Sequence, residues 1–517
     1  MTFRQARWEE PLLWEIRPAA DGRVDPAQAP EVPPELRRRK ALRLPELSEL
    51  EVARHFTRLS QMNFGIETSF YPLGSCTMKY NPRVSEVLAR RAGVADVHPY
   101  QPESSAQGLL AMLWEMEQAL GKITGLPHTT LQVAAGAHGE YVALRMTAAY
   151  HRDRGDTKRT EVLLPDTAHG TNPASAAMAG FTTREIPSKN GCVDLQALEG
   201  ALSENTAAFM LTNPNTAGLF EEQILEISDR VHSAGAILYY DGANLNAILG
   251  KTGPGKMGFD VAHLNLHKTF ATPHGGGGPG DGALCVGERL KDYLPVPRIV
   301  KEGRKFHISY DFPKSIGKVK TAYGNVGLVL RAYVFLRAHG EEGLRRVSER
   351  AVLNSNYLGM RLGEHLPRPF KPLVKHEFVL SGAPLKARGV RTLDLAKRLL
   401  DEGVHAPTVY FPTLVEESLM IEPPETESKR DLDEFVAAFL RALNDTPERL
   451  HASPMNLAVG RVDEVRAARD LILSWRDMEK AAPGAGRSHA TAASPPGMAS
   501  AAPSGPSGPS NPSVAAK

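Results

Sequence analysis

From residue 129 to residue 286 the sequence alternates short apolar runs with amphipathic stretches, and this alternation limits the fold more than any other feature. Strand-like runs fall at 129–133, 162–164, 181–186, 207–211, 236–240, 261–266 and 283–286. Helical patterns lie between them at 140–149, from 174 onward, and at 194–202 and 220–233, with apolar side chains recurring at helical spacing. Strands joined by helix-length crossovers pair in parallel, and helices cover such a sheet on both faces. The prediction is an α/β chain with a mostly parallel sheet. Ligands of such sheets bind beyond the carboxyl ends of the strands. Gly136, His169, Asn213, Asp241 and Lys268 stand at those ends.

The flanking sequence is organised around this region. Ser48, with Glu51 three residues later, predicts a helix start. Residues 107–125 have helical periodicity, while 65–83 and 98–102 are loops dense in aromatic and hydroxyl side chains. Residues 288–325 form a basic, glycine-punctuated connection, followed by helices at about 326–338 and 341–364. Strands at 378–380, 408–411 and 418–422 and helices at 391–400 and 431–443 predict a smaller C-terminal α+β domain. The expected division is an arm and helix over 1–60 and a large α/β domain over 61–330. Bridging helices and the small domain occupy 331–478. The Ala/Pro/Ser-rich tail over 479–517 is expected to be disordered, because it cannot bury enough apolar surface to offset ordering.

With 517 residues, 42% of them hydrophobic and 23% charged, the chain is long enough to bury a large core. Its 61 basic and 59 acidic residues leave a net charge of +2. That balance offers no electrostatic case for a nucleic acid or a membrane surface. No apolar stretch approaches the roughly 20 residues that span a bilayer. Acidic residues and prolines occupy the N-terminus where a signal peptide needs an apolar core. Cys76, Cys192 and Cys285 are odd in number and far apart, so they read as reduced thiols of a cytoplasmic protein.

The candidate chemistry starts with Lys268. It follows the 261–266 run and precedes a run of glycines. A partly desolvated lysine at an open strand end loses its proton easily, which suits Schiff-base chemistry. Asp241 ends the preceding apolar run, where a carboxylate can hold a ligand's ring nitrogen protonated. Gly136 and Ala137 form a turn of tiny residues before a helix, a setting for a phosphate. His169 can stack on a flat ring or move a proton. Taken singly, these residues read as a surface lysine, a capping aspartate, a tight turn and a structural histidine. Taken together they describe a pyridoxal phosphate site. Two other patterns fit less well. Gly275, Gly277 and Gly280 match G-x-G-x-x-G, but a strand rather than a helix follows. His263, His267 and His274 lack an evident carboxylate or cysteine partner, and strand alternation would scatter them, so no metal is expected.

The sequence also carries YPLGSCTMKYNPR (71–83), HPYQPE (98–103), AAGAHGE (134–140), AHGTNPASA (168–176), LTNPNTAGLFE (211–221), YYDGANLNA (239–247) and LNLHKTFATPHGGGGPG (264–280). With HEFV (376–379) and LMIEPPETESK (419–429), it resembles the glycine cleavage system P-protein family. The likeness is to the second, catalytic subunit of the two-subunit form. It implies a fold-type I pyridoxal phosphate enzyme. By this resemblance Lys268 carries pyridoxal 5′-phosphate as an aldimine, and Asp241 faces the pyridine nitrogen. Ala243 packs on one ring face and His169 on the other. Gly136 and Ala137 fall in the phosphate turn, Asn265 and His267 lie near the phosphate and lysine, and Asn213 lies near the ring hydroxyl. The implied reaction removes carbon dioxide from glycine and passes the aminomethyl group to the lipoyl arm of the H-protein. The implied assembly is a heterotetramer with glycine dehydrogenase subunit 1. Other readings of the residues are an aminotransferase, a cysteine desulfurase using Cys76, or a non-catalytic partner subunit. The glycine run reads as clearance for a tethered arm.

Overall fold

The computed structural model of the chain describes residues 3–13, 15–16, 33–37, 39, 45, 47–275, 280–370, 373–474 and 476–478. It divides into two compact units, Met1–Trp8 with Thr57–Ala458, and Glu9–Phe56 with Val459–Lys517. The tail over 479–517 lies outside the described residues, as do 276–279 of the glycine run.

Ser48, in the second unit, opens helix α1 (Glu49–Gln61), whose residues from Thr57 on belong to the first unit. Ser48 N–H donates to Glu51 Oε2 at 2.7 Å, and Glu51 N–H donates to Ser48 Oγ at 3.3 Å. This is the reciprocal cap that the Ser-x-x-Glu spacing predicts.

The first unit is built on a seven-stranded sheet. In chain order its elements are α2 (Glu103–Thr124), β1 (His128–Thr130), α3 (Gly136–Asp153), β2 (Glu161–Pro165), α4 (Thr171–Ala179), β3 (Thr182–Ile186), α5 (Leu195–Ala201), β4 (Thr206–Thr212), α6 (Ile224–Ser233), β5 (Ile237–Gly242), β6 (Val261–Asn265) and β7 (Gly282–Val286). The spatial order is β1-β7-β6-β5-β4-β2-β3. Strands β3 through β6 are parallel, and β7 runs antiparallel to both β6 and β1. Every residue of β4, β5, β6 and β7 is buried. A strand covered on both faces needs a continuous apolar run, which is why TAAFMLT and ILYY show no alternation. The mostly parallel α/β fold therefore agrees with the expectation.

Several boundaries differ from those expected. β1 stops at Thr130 instead of 133. Helix α3 starts at Gly136, four residues early, because the small-residue turn is itself its first turn. Helix α4 starts at Thr171, upstream of Pro173. Proline is tolerated there because the first turn has no internal acceptor for its missing N–H. The supposed loop after 288 holds a hairpin, β8 (Arg298–Glu302) and β9 (Lys305–Ser309), turning at Gly303 with φ 59°. Its basic residues hid the strand pattern. The two bridging helices form one element, α7 (Val326–Gly363), interrupted at Gly340 with φ 58°.

The C-terminal part has a three-stranded antiparallel sheet, β10 (Phe378–Ser381), β11 (Thr408–Val409) and β12 (Ser418–Ile421), in the order β10-β12-β11. Helices α8 (Thr392–Asp401) and α9 (Lys429–Leu443) cover it. Their shared core joins Phe378, Leu380, Leu419 and Ile421 to Leu395, Leu399, Phe435 and Phe439. This is the smaller α+β arrangement predicted for the region. Among the described residues, no helix is long and apolar enough to cross a membrane.

Candidate active site

Strands β5 and β6 bring the two central residues together. Asp241 lies near the end of β5, and the register sets it opposite His263 of β6. Immediately after β6 the chain makes a short helical turn, Leu266–Thr269, that carries Lys268. Both residues line a cavity of about 320 Å³ beyond the strand ends. Gly136, Ala137, His169, Ala243, Asn265 and His267 line it as well. Asn213 alone among the predicted site residues does not. Its Oδ1 accepts from Glu221 N–H at 2.9 Å, and its amide nitrogen faces Met257 Sδ at 3.6 Å, away from the cavity. Thr212, its neighbour, supplies the wall there. Strand alternation gives the reason, since adjacent residues project to opposite faces.

One end of the cavity is suited to an anion. Helix α3 opens there with Ala135 at the cap position and no side chain capping it. Its first-turn N–H groups have no acceptor within the helix, and the dipole adds a partial positive charge. The approach is close. A Cβ on Gly136 would lie 2.0 Å from Asn265 Oδ1. Asn265 Oδ1 and Thr212 Oγ1 are buried and lack hydrogen-bond partners, a condition that an occupant of the cavity would relieve.

At the other end Asp241 accepts hydrogen bonds from Asn172 Nδ2 at 3.0 Å and Ala243 N–H at 2.9 Å. His263 Nε2 stands 3.3 Å from Asp241 Oδ1. No carboxylate partner for His263 is evident from residue spacing, and the register of two adjacent strands supplies one. Burial alone would raise the Asp241 carboxyl. His263, the two hydrogen bonds and Lys268 outweigh it, and the group titrates below the ordinary aspartate value. Among the described residues, Lys268 makes no hydrogen bond or ion pair.

The His169 ring is oriented by the start of α4. Thr171 N–H donates to His169 Nδ1 at 3.2 Å, and Thr171 Oγ1 donates to Glu140 Oε1 at 2.8 Å. Thr171 and Glu140 also line the cavity. Their role was hidden because residues 166–173 read as a plain loop. His267 and His274 pack edge to face with ring centres 4.9 Å apart. Burial, then neighbouring charge, lowers them to about 3 and about 4 respectively, so both are neutral at physiological pH. At the end of the glycine run, a Cβ on Gly280 would lie 2.3 Å from His267 Nδ1. That residue serves close packing, and no helix opens there to support a dinucleotide fingerprint. Gly277 of that pattern lies outside the described residues.

The chain is 56% identical over 490 residues to a Pyrococcus abyssi protein named probable glycine dehydrogenase (decarboxylating) subunit 2, covering 92% of this chain and 97% of that one. The chain belongs to the glycine dehydrogenase (decarboxylating) subunit 2 family. A relative of the same name from Halalkalibacterium halodurans is 55% identical over 448 residues, covering 86% of this chain and 92% of its own length. The family profile described as glycine dehydrogenase, C-terminal domain, matches residues 347–455. Among solved structures, an inhibitor-bound glycine decarboxylase (P-protein) of the glycine cleavage system superposes with a TM-score of 0.65 at 21% identity, covering 81% of this chain and 92% of that chain. A Thermococcus onnurineus cysteine desulfurase superposes with a TM-score of 0.57 at 14% identity, covering 73% and 95%. The fold is that of the fold-type I enzymes, and the family narrows it to the subunit 2 branch.

Proposed function

We propose that this chain removes carbon dioxide from glycine and passes the aminomethyl group to the lipoyl arm of an H-protein, with pyridoxal 5′-phosphate attached at Lys268. The observation that carries this reading is the convergence of Lys268, Asp241 and the uncapped start of α3 on one cavity, in a chain of this family. The name subunit 2 that these relatives carry supports a partner subunit, which on this reading is glycine dehydrogenase subunit 1, joined in a heterotetramer. Three free cysteines support the cytoplasm as the place of action.

The residues present fit that cofactor. First-turn amides of α3 at Gly136 and Ala137 match a phosphate, and the buried Thr212 hydroxyl has a proton to donate to one. When bound, the cofactor supplies an electron sink into which the bond to a leaving carboxylate can break. Lys268 supplies the amine for attachment, free of any competing ion pair among the described residues. Asp241, kept ionised by His263, Asn172 and Ala243 N–H, holds a proton on the ring nitrogen. His169 and Ala243, both lining the cavity, would hold the cofactor ring between them, and the Thr171 bond fixes the imidazole. Neutral His267 and His274 add no positive charge beside Lys268.

The desulfurase alternative needs a cysteine that attacks readily. Burial pushes the Cys76 thiol up to about 11, which opposes that role. The test uses the chain assembled with subunit 1 and lipoylated H-protein. Glycine-dependent carbon dioxide release and bicarbonate exchange are expected, and Lys268→Ala should abolish both, along with the visible absorbance of the attached cofactor. Exchange surviving in that variant would remove Lys268 from its role. Sulfide released from cysteine, with no glycine exchange, would favour the desulfurase.

A further inference from the structure

A buried acidic pair lies behind the catalytic lysine. Glu377 precedes β10 and Glu422 follows β12, and the register of those strands sets them side by side. Both are buried, at 0% and 1% exposure. Isolated carboxylates are rarely buried to this degree. Each is committed to the same loop. Ser75 N–H donates to Glu377 Oε2 at 2.8 Å, and Thr77 N–H donates to Glu422 Oε2 at 2.8 Å. The Thr77 hydroxyl donates to Glu422 Oε1 as well.

The backbone there is strained. Ser75 has φ 65° and Thr77 φ 50°, a left-handed conformation that costs any side chain and is most unfavourable for a β-branched one. Hydrogen bonds to a buried carboxylate are strong enough to hold it. Neighbouring contacts fasten the same loop. Thr408 Oγ1 donates to Gly74 O at 2.8 Å, and Leu73 forms a bridge to Ile421. The other face of the loop meets the site. Ser75 lines the cavity, and Lys79 Nζ donates to Thr269 O, one residue past Lys268, at 2.8 Å. His376 balances the charge, with Nε2 3.3 Å from Glu377 Oε1. Burial disfavours its cation, yet Glu377 raises it above the ordinary imidazole value.

We propose that Glu377 and Glu422 are positioning residues for the reaction, holding Ser75 and Thr77 in left-handed conformations so that residues 74–77 form a fixed wall beside Lys268. The proposal rests on the activity proposed above. It assigns these carboxylates a geometric task in place of proton transfer, which separates it from a general acid role.

The test has two readouts in the assembled enzyme. The first is the alkylation rate of Cys76 by iodoacetamide, followed by peptide mass, which reports loop order without any turnover. Glu377→Ala is expected to accelerate it about tenfold, whereas E377Q, which keeps an oxygen acceptor, changes it less than about threefold. The second is kcat for glycine decarboxylation, expected to fall at least about tenfold in E377A and to be largely restored in E377Q, with the pH profile retaining its shape. If E377A fails to fold, Thr77 variants decide. T77V keeps the branched side chain and loses the hydroxyl bond, while T77G takes φ 50° without penalty. T77V should expose Cys76 and lower kcat more than T77G. Equal effects of valine and glycine, or unchanged Cys76 alkylation in E377A, overturn the proposal. So does a displaced pH profile in E377Q. Failure of the wild-type enzyme to decarboxylate glycine would strike the preceding reading alone, because the alkylation result stands apart from it.

Discussion

Asp241 and His263 face each other across adjacent parallel strands, with imidazole Nε2 3.3 Å from carboxylate Oδ1. Tyr239 Oη lies 2.6 Å from His263 Nδ1. If the phenol donates to Nδ1, the neutral ring keeps its proton on Nε2. If the ring is charged, both nitrogens carry protons. In both states Nε2–H points at Asp241, and the remaining form, protonated on Nδ1 alone, would turn a lone pair against the carboxylate and is disfavoured there. The histidine is therefore part of the device that keeps a fully buried aspartate ionised.

Removing that donor should uncover the burial penalty. In His263→Phe the Asp241 carboxyl is expected to rise, because burial is the largest influence on it and His263 the largest opposing one. The acid limb of kcat/KM should then move to higher pH. Asp241→Asn should lower kcat by about two orders of magnitude across the whole profile, the equivalent of about 3 kcal/mol. Rate profiles between pH 5 and 9 check both. An unmoved acid limb in H263F would show that Asn172 and Ala243 N–H suffice.

Gly136 is required for space. Its φ is helical, so alanine fits the backbone, yet the added Cβ would come within 2.0 Å of Asn265 Oδ1. Asn265 must move, and the cavity end that matches a phosphate closes. Gly136→Ala should weaken pyridoxal 5′-phosphate binding at least about tenfold, about 1.4 kcal/mol, with little change in thermal stability of the apoprotein. Equilibrium titration of the cofactor absorbance measures it.

The fold was legible because β4, β5 and β6 are buried on both faces and so print continuous apolar runs. The lining of the candidate site was legible where a polar residue ends such a run, as at Asp241 and Lys268. Partners contributed by register were not legible. Nothing in the spacing of Asp241 and His263 says that two strands will set them opposite. Nor does the spacing of Ser75 and Glu377, 302 residues apart, announce a hydrogen bond. The side of a strand end was misjudged at Asn213, where Thr212 holds the cavity wall. The α4 start was hidden by Pro173, which breaks helices except in their first turn.

Glu117 of α2 makes stability depend on pH far from the site. It is buried, and Tyr323 Oη donates to its Oε1 at 2.7 Å. Burial raises it to about 8 against that bond and Arg298, from an ordinary value of 4.5. The folded protein thus keeps a proton that the unfolded chain releases between about pH 4.5 and 8. Stability supported by the protonated form is complete below the unfolded value and is lost as pH rises through this window. Glu117→Gln keeps the acceptor for Tyr323 and cannot ionise. It should stabilise the protein by about 4 kcal/mol at pH 8.5, the gain vanishing near pH 4.5. Thermal melts at the two pH values decide, and an equal effect at both would exclude the titration of Glu117 as the cause.

Lys79 tests how the 74–79 loop is fastened. Its ammonium is buried, 2.8 Å from Glu425 Oε1 and 2.8 Å from Thr269 O, with the Phe335 ring centre at 5.1 Å. Breaking such a pair on one side leaves an uncompensated buried charge, while replacing both members by apolar groups removes the desolvation cost together with the attraction. Lys79→Met alone should therefore destabilise the protein by about 3 kcal/mol. The double variant K79M/E425L should recover most of that loss. Its activity, however, should stay depressed, because the bond from Lys79 to Thr269 O braces the turn that carries Lys268 and neither replacement restores it. Urea midpoints paired with glycine decarboxylation rates in the same three proteins separate the two effects. Stability and rate recovering together in the double variant would show that Lys79 serves folding alone.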